Sequence, residues 1–145
     1  MHKPRVFLDS SVIIAALLSP RGGSYYLLTQ LSDALALEIN EYVFEEVRRT
    51  LTIKFSDQPA LISNLFATIG LADVATISNP SKREVTAAEK LISKKDAPIL
   101  ASAIAESDFL VTLDNEFFKA AIVEVAKQRN LKILKPGDLV KLFER

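Results

Sequence analysis

The strongest constraint on this chain is the alternation of short apolar runs, strand-like in length, with longer stretches whose apolar residues recur at helical spacing. Val6-Phe7-Leu8 opens the series as a buried strand that stops at Asp9-Ser10-Ser11. Val12 to Leu18 reads as a helix ended by Ser19-Pro20 and Gly22-Gly23. Tyr25, Leu28 and Leu31 mark a second helix, and Ala34 to Ile39 a second strand. Val43, Val47 and Leu51 form the stripe of an amphipathic helix, and Leu61, Leu65 and Ile69 that of another. Val74 to Ile77 is a third strand, followed by a polar stretch from Ser78 to Glu84. Thr86-Ala87-Ala88-Glu89 has the form of a capping box and predicts a helix start there. Asp96-Ala97-Pro98 predicts the next start, since Asp is a favoured N-cap and Pro is tolerated in the first turn. Phe109 to Thr112 is a strand, Asn115 to Gln128 one long helix, Leu131 to Leu134 the last strand, and Pro136 opens a terminal helix through Phe143. Strands separated by helices imply a parallel sheet covered on both faces. The expected fold is therefore α/β, with a central parallel sheet of four or five strands. A single domain over residues 1–145 is the natural expectation at this length.

Composition narrows the chemistry. The chain contains no cysteine, which excludes disulfides, thiolate nucleophiles and Cys-based zinc sites. Its one histidine is His2, so a two-histidine nuclease mechanism is impossible within one chain. Lys+Arg and Asp+Glu both number 18, so any nucleic-acid binding must come from locally focused charge. The longest apolar run, Val12 to Leu18, falls well short of the ~20 residues that span a bilayer. No signal-peptide pattern accompanies it. A soluble, cytoplasmic protein without membrane contact is the expectation.

The polar chemistry that remains is carboxylate chemistry. Asp9 follows one apolar strand and Asp114 another, and ligand sites of open α/β sheets form beyond the carboxyl ends of strands. If the two strands are neighbours, their ends lie about 5 Å apart. Taken singly, Asp9, Asp96 and Asp114 are each better explained as N-caps of the segment that follows. Glu46 on its own reads as an ordinary solvated helical residue. Helix geometry, at about 100° per residue, nevertheless turns Glu46 nearer than Glu45 to the Val43-Phe44-Val47-Leu51 stripe.

It is the combination that resembles a known family. Val6 to Pro20, an apolar strand followed by Asp9-Ser10-Ser11 and an apolar helix, is similar to the opening of PIN domains. Glu45-Glu46-Val47-Arg48-Arg49-Thr50-Leu51 resembles their second motif, and Asp96 to Ala103 their third. Phe109 to Phe118 resembles the fourth, and Ile133 to Leu139 the last strand and helix. The resemblance runs in order through nearly the whole chain. It implies a PIN-like three-layer sandwich and an acidic site of Asp9, Glu46, Asp96 and Asp114. It also implies a supporting hydroxyl at Ser11, where many members have asparagine, and another at Thr112. Glu116 stands where many members carry a further aspartate. For Ser11 and Thr112, local backbone bonding is the competing explanation.

Four clustered carboxylates repel one another, at ~3 kcal/mol per pair for about 5 Å and an effective dielectric near 20. Mg²⁺ or Mn²⁺, one or two ions, would relieve this, because both prefer oxygen ligands. The resulting expectation is a metal-dependent ribonuclease hydrolysing RNA phosphodiester bonds. Water activated by the cation would attack phosphorus in line. Lys94-Lys95 and Arg48-Arg49 are candidates for holding substrate phosphates, Lys94, Lys95 and Arg48 foremost, although ordinary solvated charge is the better explanation of each pair. Resemblance to prokaryotic, VapC-like PIN proteins implies the toxin of a type II toxin–antitoxin pair. A protein antitoxin would cover the acidic crevice, and the chain would self-associate as a homodimer or higher homo-oligomer. The alternatives are a catalytically inactive PIN scaffold that binds RNA or protein, and a housekeeping RNA-processing nuclease. A phosphotransfer domain is a third class, but it lacks support: only Asp9 stands where such domains carry an acidic pair.

Overall fold

A computed structural model describes residues 2–144. Five parallel strands form one sheet: β1 (Arg5–Leu8), β2 (Ala36–Ile39), β3 (Ala75–Thr76), β4 (Phe109–Val111) and β5 (Lys132–Leu134). Their order is β3-β2-β1-β4-β5, so β1 is the centre. Its neighbours are in register with Phe7 opposite Glu38 on one side and Leu110 on the other. The helices are α1 (Ser10–Leu18), α2 (Gly23–Gln30), α3 (Glu41–Lys54), α4 (Ala60–Leu71), α5 (Lys82–Glu89), α6 (Ala97–Glu106), α7 (Ala120–Gln128) and α8 (Pro136–Phe143). They flank the sheet on both faces in three layers, as the alternation of elements predicts. Among the described residues, no helix is long and apolar enough to cross a membrane.

The strands are short and apolar because both faces are covered: Val6, Phe7, Leu8, Leu110 and Val111 are fully buried. α6 is buried almost all round, from Ala97 to Ala103, and packs on β1 and β4. Its small residues let it lie close to the sheet. It runs antiparallel to the strands, so its last turn reaches the strand starts, where Arg5 pairs with Glu106 at 3.2 Å. Glu38 is the one buried charge on β2, and the sequence reading passed over it. Arg5 Nε donates to it at 3.1 Å and Ser107 Oγ at 2.7 Å, which makes it a structural pair at that end of the sheet. By the same geometry, Asp96 at the start of α6 lies at the opposite end, with the carboxyl ends of the strands.

Three local expectations are corrected. The capping box is not at Thr86. Ser81-Lys82-Arg83-Glu84 has the same form one turn earlier, and there both reciprocal bonds are made: Glu84 N to Ser81 Oγ at 3.1 Å and Ser81 N to Glu84 Oε1 at 2.8 Å. Thr86 is therefore inside α5, which ends at Glu89 rather than starting near it. The long helix from Asn115 to Gln128 is broken. A 3₁₀ turn, Asn115–Phe118, precedes α7, and Lys119 between them is extended at φ −61°, ψ 142°. In one continuous helix Phe117 and Ile122 would point about 140° apart; the break lets both be buried. In α2 the inward residues are Ser24, Leu27 and Leu28, and Tyr25 is exposed. The close approach of α2 to α8 accounts for Gly23, where a Cβ would come within 3.0 Å of the Gly137 backbone nitrogen.

An acidic crevice at the carboxyl end of the sheet

The chain steps from β1 outward to β2 and β3, then returns to place β4 on the other side of β1. The crevice between the ends of β1 and β4 is thus the point where strand order reverses, the usual ligand position in open α/β sheets. Asp9 and Thr112 are the residues that leave these two strands. Asp9 N bonds to the Val111 carbonyl at 3.0 Å, which holds the two ends together.

The Asp9 side chain is buried and fixed from three directions. Its Oδ1 accepts from Ser10 N at 2.9 Å, while Oδ2 accepts from Ser11 Oγ at 2.9 Å and Thr112 Oγ1 at 2.7 Å. The capping and site readings of Asp9 are therefore compatible in one residue. Ser11 Oγ and Thr112 Oγ1 also accept from Leu113 N at 3.1 Å and Asp114 N at 3.0 Å. These two hydroxyls link the first and fourth motifs across the strand ends. Burial nevertheless holds the Asp9 carboxyl above the ordinary carboxylate range. Nearby Glu46 adds to the shift, and the hydroxyl donors only partly offset it.

Glu46 enters from α3. One carboxylate oxygen accepts from Ser10 Oγ, and the other pairs with Lys95 Nζ at 3.2 Å. Its side chain is 18% exposed, whereas Glu45 turns outward to Arg48 at 2.9 Å. The orientation of α3 relative to α6 is set by Asn40, buried and unremarked in the sequence reading. It caps α3 through Val43 N at 3.1 Å and donates to Ser102 Oγ at 2.8 Å.

Asp96 precedes α6 without capping it; its own backbone is already helical at φ −92°, ψ −14°, and the carboxylate accepts instead from Ser93 Oγ at 3.2 Å. This corrects the expectation of a side-chain cap. Partial burial raises the Asp96 carboxyl above its ordinary range. The negative charges of Asp114, Asp9 and Glu46 raise it further. Asp114 caps the 3₁₀ turn by accepting from Glu116 N at 2.9 Å. Asp96 thus lies within the field of Asp9, Glu46 and Asp114, and Asp9 within that of Glu46.

Other candidates lie differently. Glu116 is turned away, its carboxylate 2.9 Å from Lys119 in an exposed pair. Arg48 is committed to Glu45 on the outer side of α3. Lys94 and Lys95 line a separate pocket that includes Glu46 but none of the three aspartates, and the arginine that joins them there is Arg49. The sequence reading singled out neither Ser10 nor Ser93. The doubled serine after Asp9 could have suggested the first, because adjacent residues at a helix start point toward different neighbours.

Donor chemistry in this crevice is all oxygen, with neither histidine nor cysteine. Among the described residues, Lys95 is the one cation that makes an ion pair with any of the four acids, and its partner is Glu46. A hard divalent cation fits that excess of negative charge. No three carboxylates among the described residues lie close enough to form a preassembled metal shell. Mg²⁺ does not require one, since it commonly takes one or two carboxylates and completes its octahedron with water and phosphate oxygens.

Comparison with family models decides the kinship: the model described as PIN domain matches residues 6–123. The chain belongs to the PIN-domain family. PIN domains are in general nucleases that use divalent metal ions, and the family accounts for the fold. The match spans the segments that carry all four acids of this PIN domain. No curated protein and no solved structure matches it significantly.

Proposed function

We propose that this PIN domain is a metal-dependent endoribonuclease. In this reading Asp9, Asp96 and Asp114 hold one or two Mg²⁺ or Mn²⁺ ions directly or through water. Glu46 holds metal through water or orients the attacking water. The observation that carries the proposal is an Asp9 carboxylate fixed by Ser10, Ser11 and Thr112 at the carboxyl end of β1, with Glu46 bonded to the neighbouring Ser10 and an Asp96 carboxyl that partial burial and the charges of Asp114, Asp9 and Glu46 raise above its ordinary range. A divalent cation, when bound, supplies Lewis acidity toward a phosphoryl oxygen and makes water easier to deprotonate. The chain's part is positioning. Ser11 and Thr112 hold Asp9 in one orientation, Ser10 and Lys95 hold Glu46, and Ser93 restrains Asp96. Lys95, with a side chain 73% exposed, is available to meet the phosphate as it enters.

RNA as substrate and the toxin role follow from the likeness to prokaryotic, VapC-like PIN proteins. A small protein encoded immediately upstream should mask cleavage when co-purified. Self-association and a cytoplasmic setting belong to the same reading. The decisive assay compares RNA cleavage by the wild-type chain and Asp9→Asn in Mg²⁺, Mn²⁺ or EDTA. Wild type should cleave only with metal, and the variant should lose roughly 10²-fold or more in turnover. Near-normal metal-dependent cleavage by Asp9→Asn would overturn the proposal.

A further inference from the structure

Beside Glu46, on the side away from Asp9, α3 and the start of α6 enclose an open crevice of about 230 Å³. Its cationic wall is Arg49, Lys94 and Lys95, and its apolar floor is Pro98 and Ile99. Tyr42, in the first turn of α3 and 48% exposed, stands at its edge. Lys95 is bound to Glu46, whereas neither Arg49 nor Lys94 makes an ion pair among the described residues. Two free cations, an exposed aromatic face and an apolar floor match the parts of one nucleotide. The phosphate seeks the cations, and the base seeks a surface on which to stack.

We infer that this crevice seats a nucleotide flanking the scissile phosphate of single-stranded RNA, with its phosphate held by Arg49 and Lys94 and its base stacked on Tyr42. The inference rests on the nuclease reading and adds to it a nucleotide subsite built from Arg49, Lys94 and Tyr42. A continuous duplex keeps its bases stacked on one another and offers none to Tyr42, so single strands and loops are the substrates that fit. Lys95 joins the two parts of the site, since its ammonium lies between the crevice and the acids. Of the Arg48-Arg49 pair, Arg48 is committed to Glu45 and the turn of α3 presents Arg49 to the crevice.

The test measures binding of a labelled single-stranded RNA by fluorescence anisotropy across a salt series. The full chain is used, with cleavage silenced by Asp96→Asn. In that background Arg49→Met with Lys94→Met should weaken binding and lower the slope of log affinity against log salt by about 1.4, two contacts at roughly 0.7 each. Tyr42→Ala should weaken binding about tenfold without changing the slope, and Tyr42→Phe should restore it. Lys127→Met, on the distant α7, should leave both quantities unchanged. A blunt duplex of the same sequence should bind more weakly than the single strand and be indifferent to Tyr42→Ala. Unchanged affinity and slope in the crevice variants, while the wild-type chain cleaves RNA with metal, would overturn the subsite alone. Failure of the wild-type chain to cleave under any metal would overturn the nuclease reading beneath it.

Discussion

Asp9 accepts three hydrogen bonds, which ordinarily favour a carboxylate, yet its carboxyl stands above the usual range because burial outweighs them. Asp96 has fewer donors and more acidic neighbours, and it shifts in the same direction. The consequence for stability has a definite sign. A carboxyl whose folded pKa is raised binds more protons in the folded chain than in the unfolded one, between the unfolded value of about 3.9 and the raised value. Stability relative to a neutral replacement therefore falls as pH rises through that window. In chelator, the melting temperature of wild type minus that of Asp96→Asn should decrease from pH 4 to pH 7. Saturating Mn²⁺ should shrink or reverse the decrease. A difference independent of pH would contradict the shift. At this scale Asp9, Asp96 and Asp114 are legible only as a set: each stands at a strand end or helix start, where a cap explains it singly, and the resemblance of their segments to PIN motifs singles them out together. The partner of the Ser10 hydroxyl, Glu46, is set by tertiary placement, whereas Ser93 meets Asp96 locally, three residues away, with no motif to mark it. Glu116, three residues from Lys119, has a local partner in an exposed pair.

Among the elements, α5 separates two motifs of identical form. Ser81→Ala removes the side chain that accepts from Glu84 N and should cost about 1 kcal/mol in urea unfolding. Thr86→Ala, at an exposed position inside the helix, should be neutral or slightly stabilising. The reverse order of effects would restore the cap to Thr86. Strand and helix types were legible because parallel strands are uniformly apolar and the α3 stripe is regular. Boundaries were less so. The kink at Lys119 depends on burying both Phe117 and Ile122, a demand of the surrounding core and not of the local pattern. The two-residue β3 follows Asp73, whose φ of 53° turns the chain sharply out of α4. Only the pairing with β2 shows where such an edge strand begins.

For the molecule as a whole, the central place of β1 matters most. A sheet that grows outward from β1 in one direction and then the other leaves a crevice at its carboxyl end, and both first and fourth motifs terminate there. Net charge is zero, so the concentration of acids is a property of this topology rather than of composition. The sequence could supply the order of elements and the family resemblance. It could not supply the partners of the acids, because Glu46, Lys95 and Ser10 meet only once α3 and α6 are fixed by Asn40. Whether the four acids share a cation is most directly measured by titrating Mn²⁺ into the metal-free chain and following heat and the paramagnetic signal of the free ion. Saturable binding should appear in the wild-type chain and weaken at least tenfold in both Asp96→Asn and Asp114→Asn. Absence of saturable binding, or affinity unchanged in both variants, would contradict a shared cation.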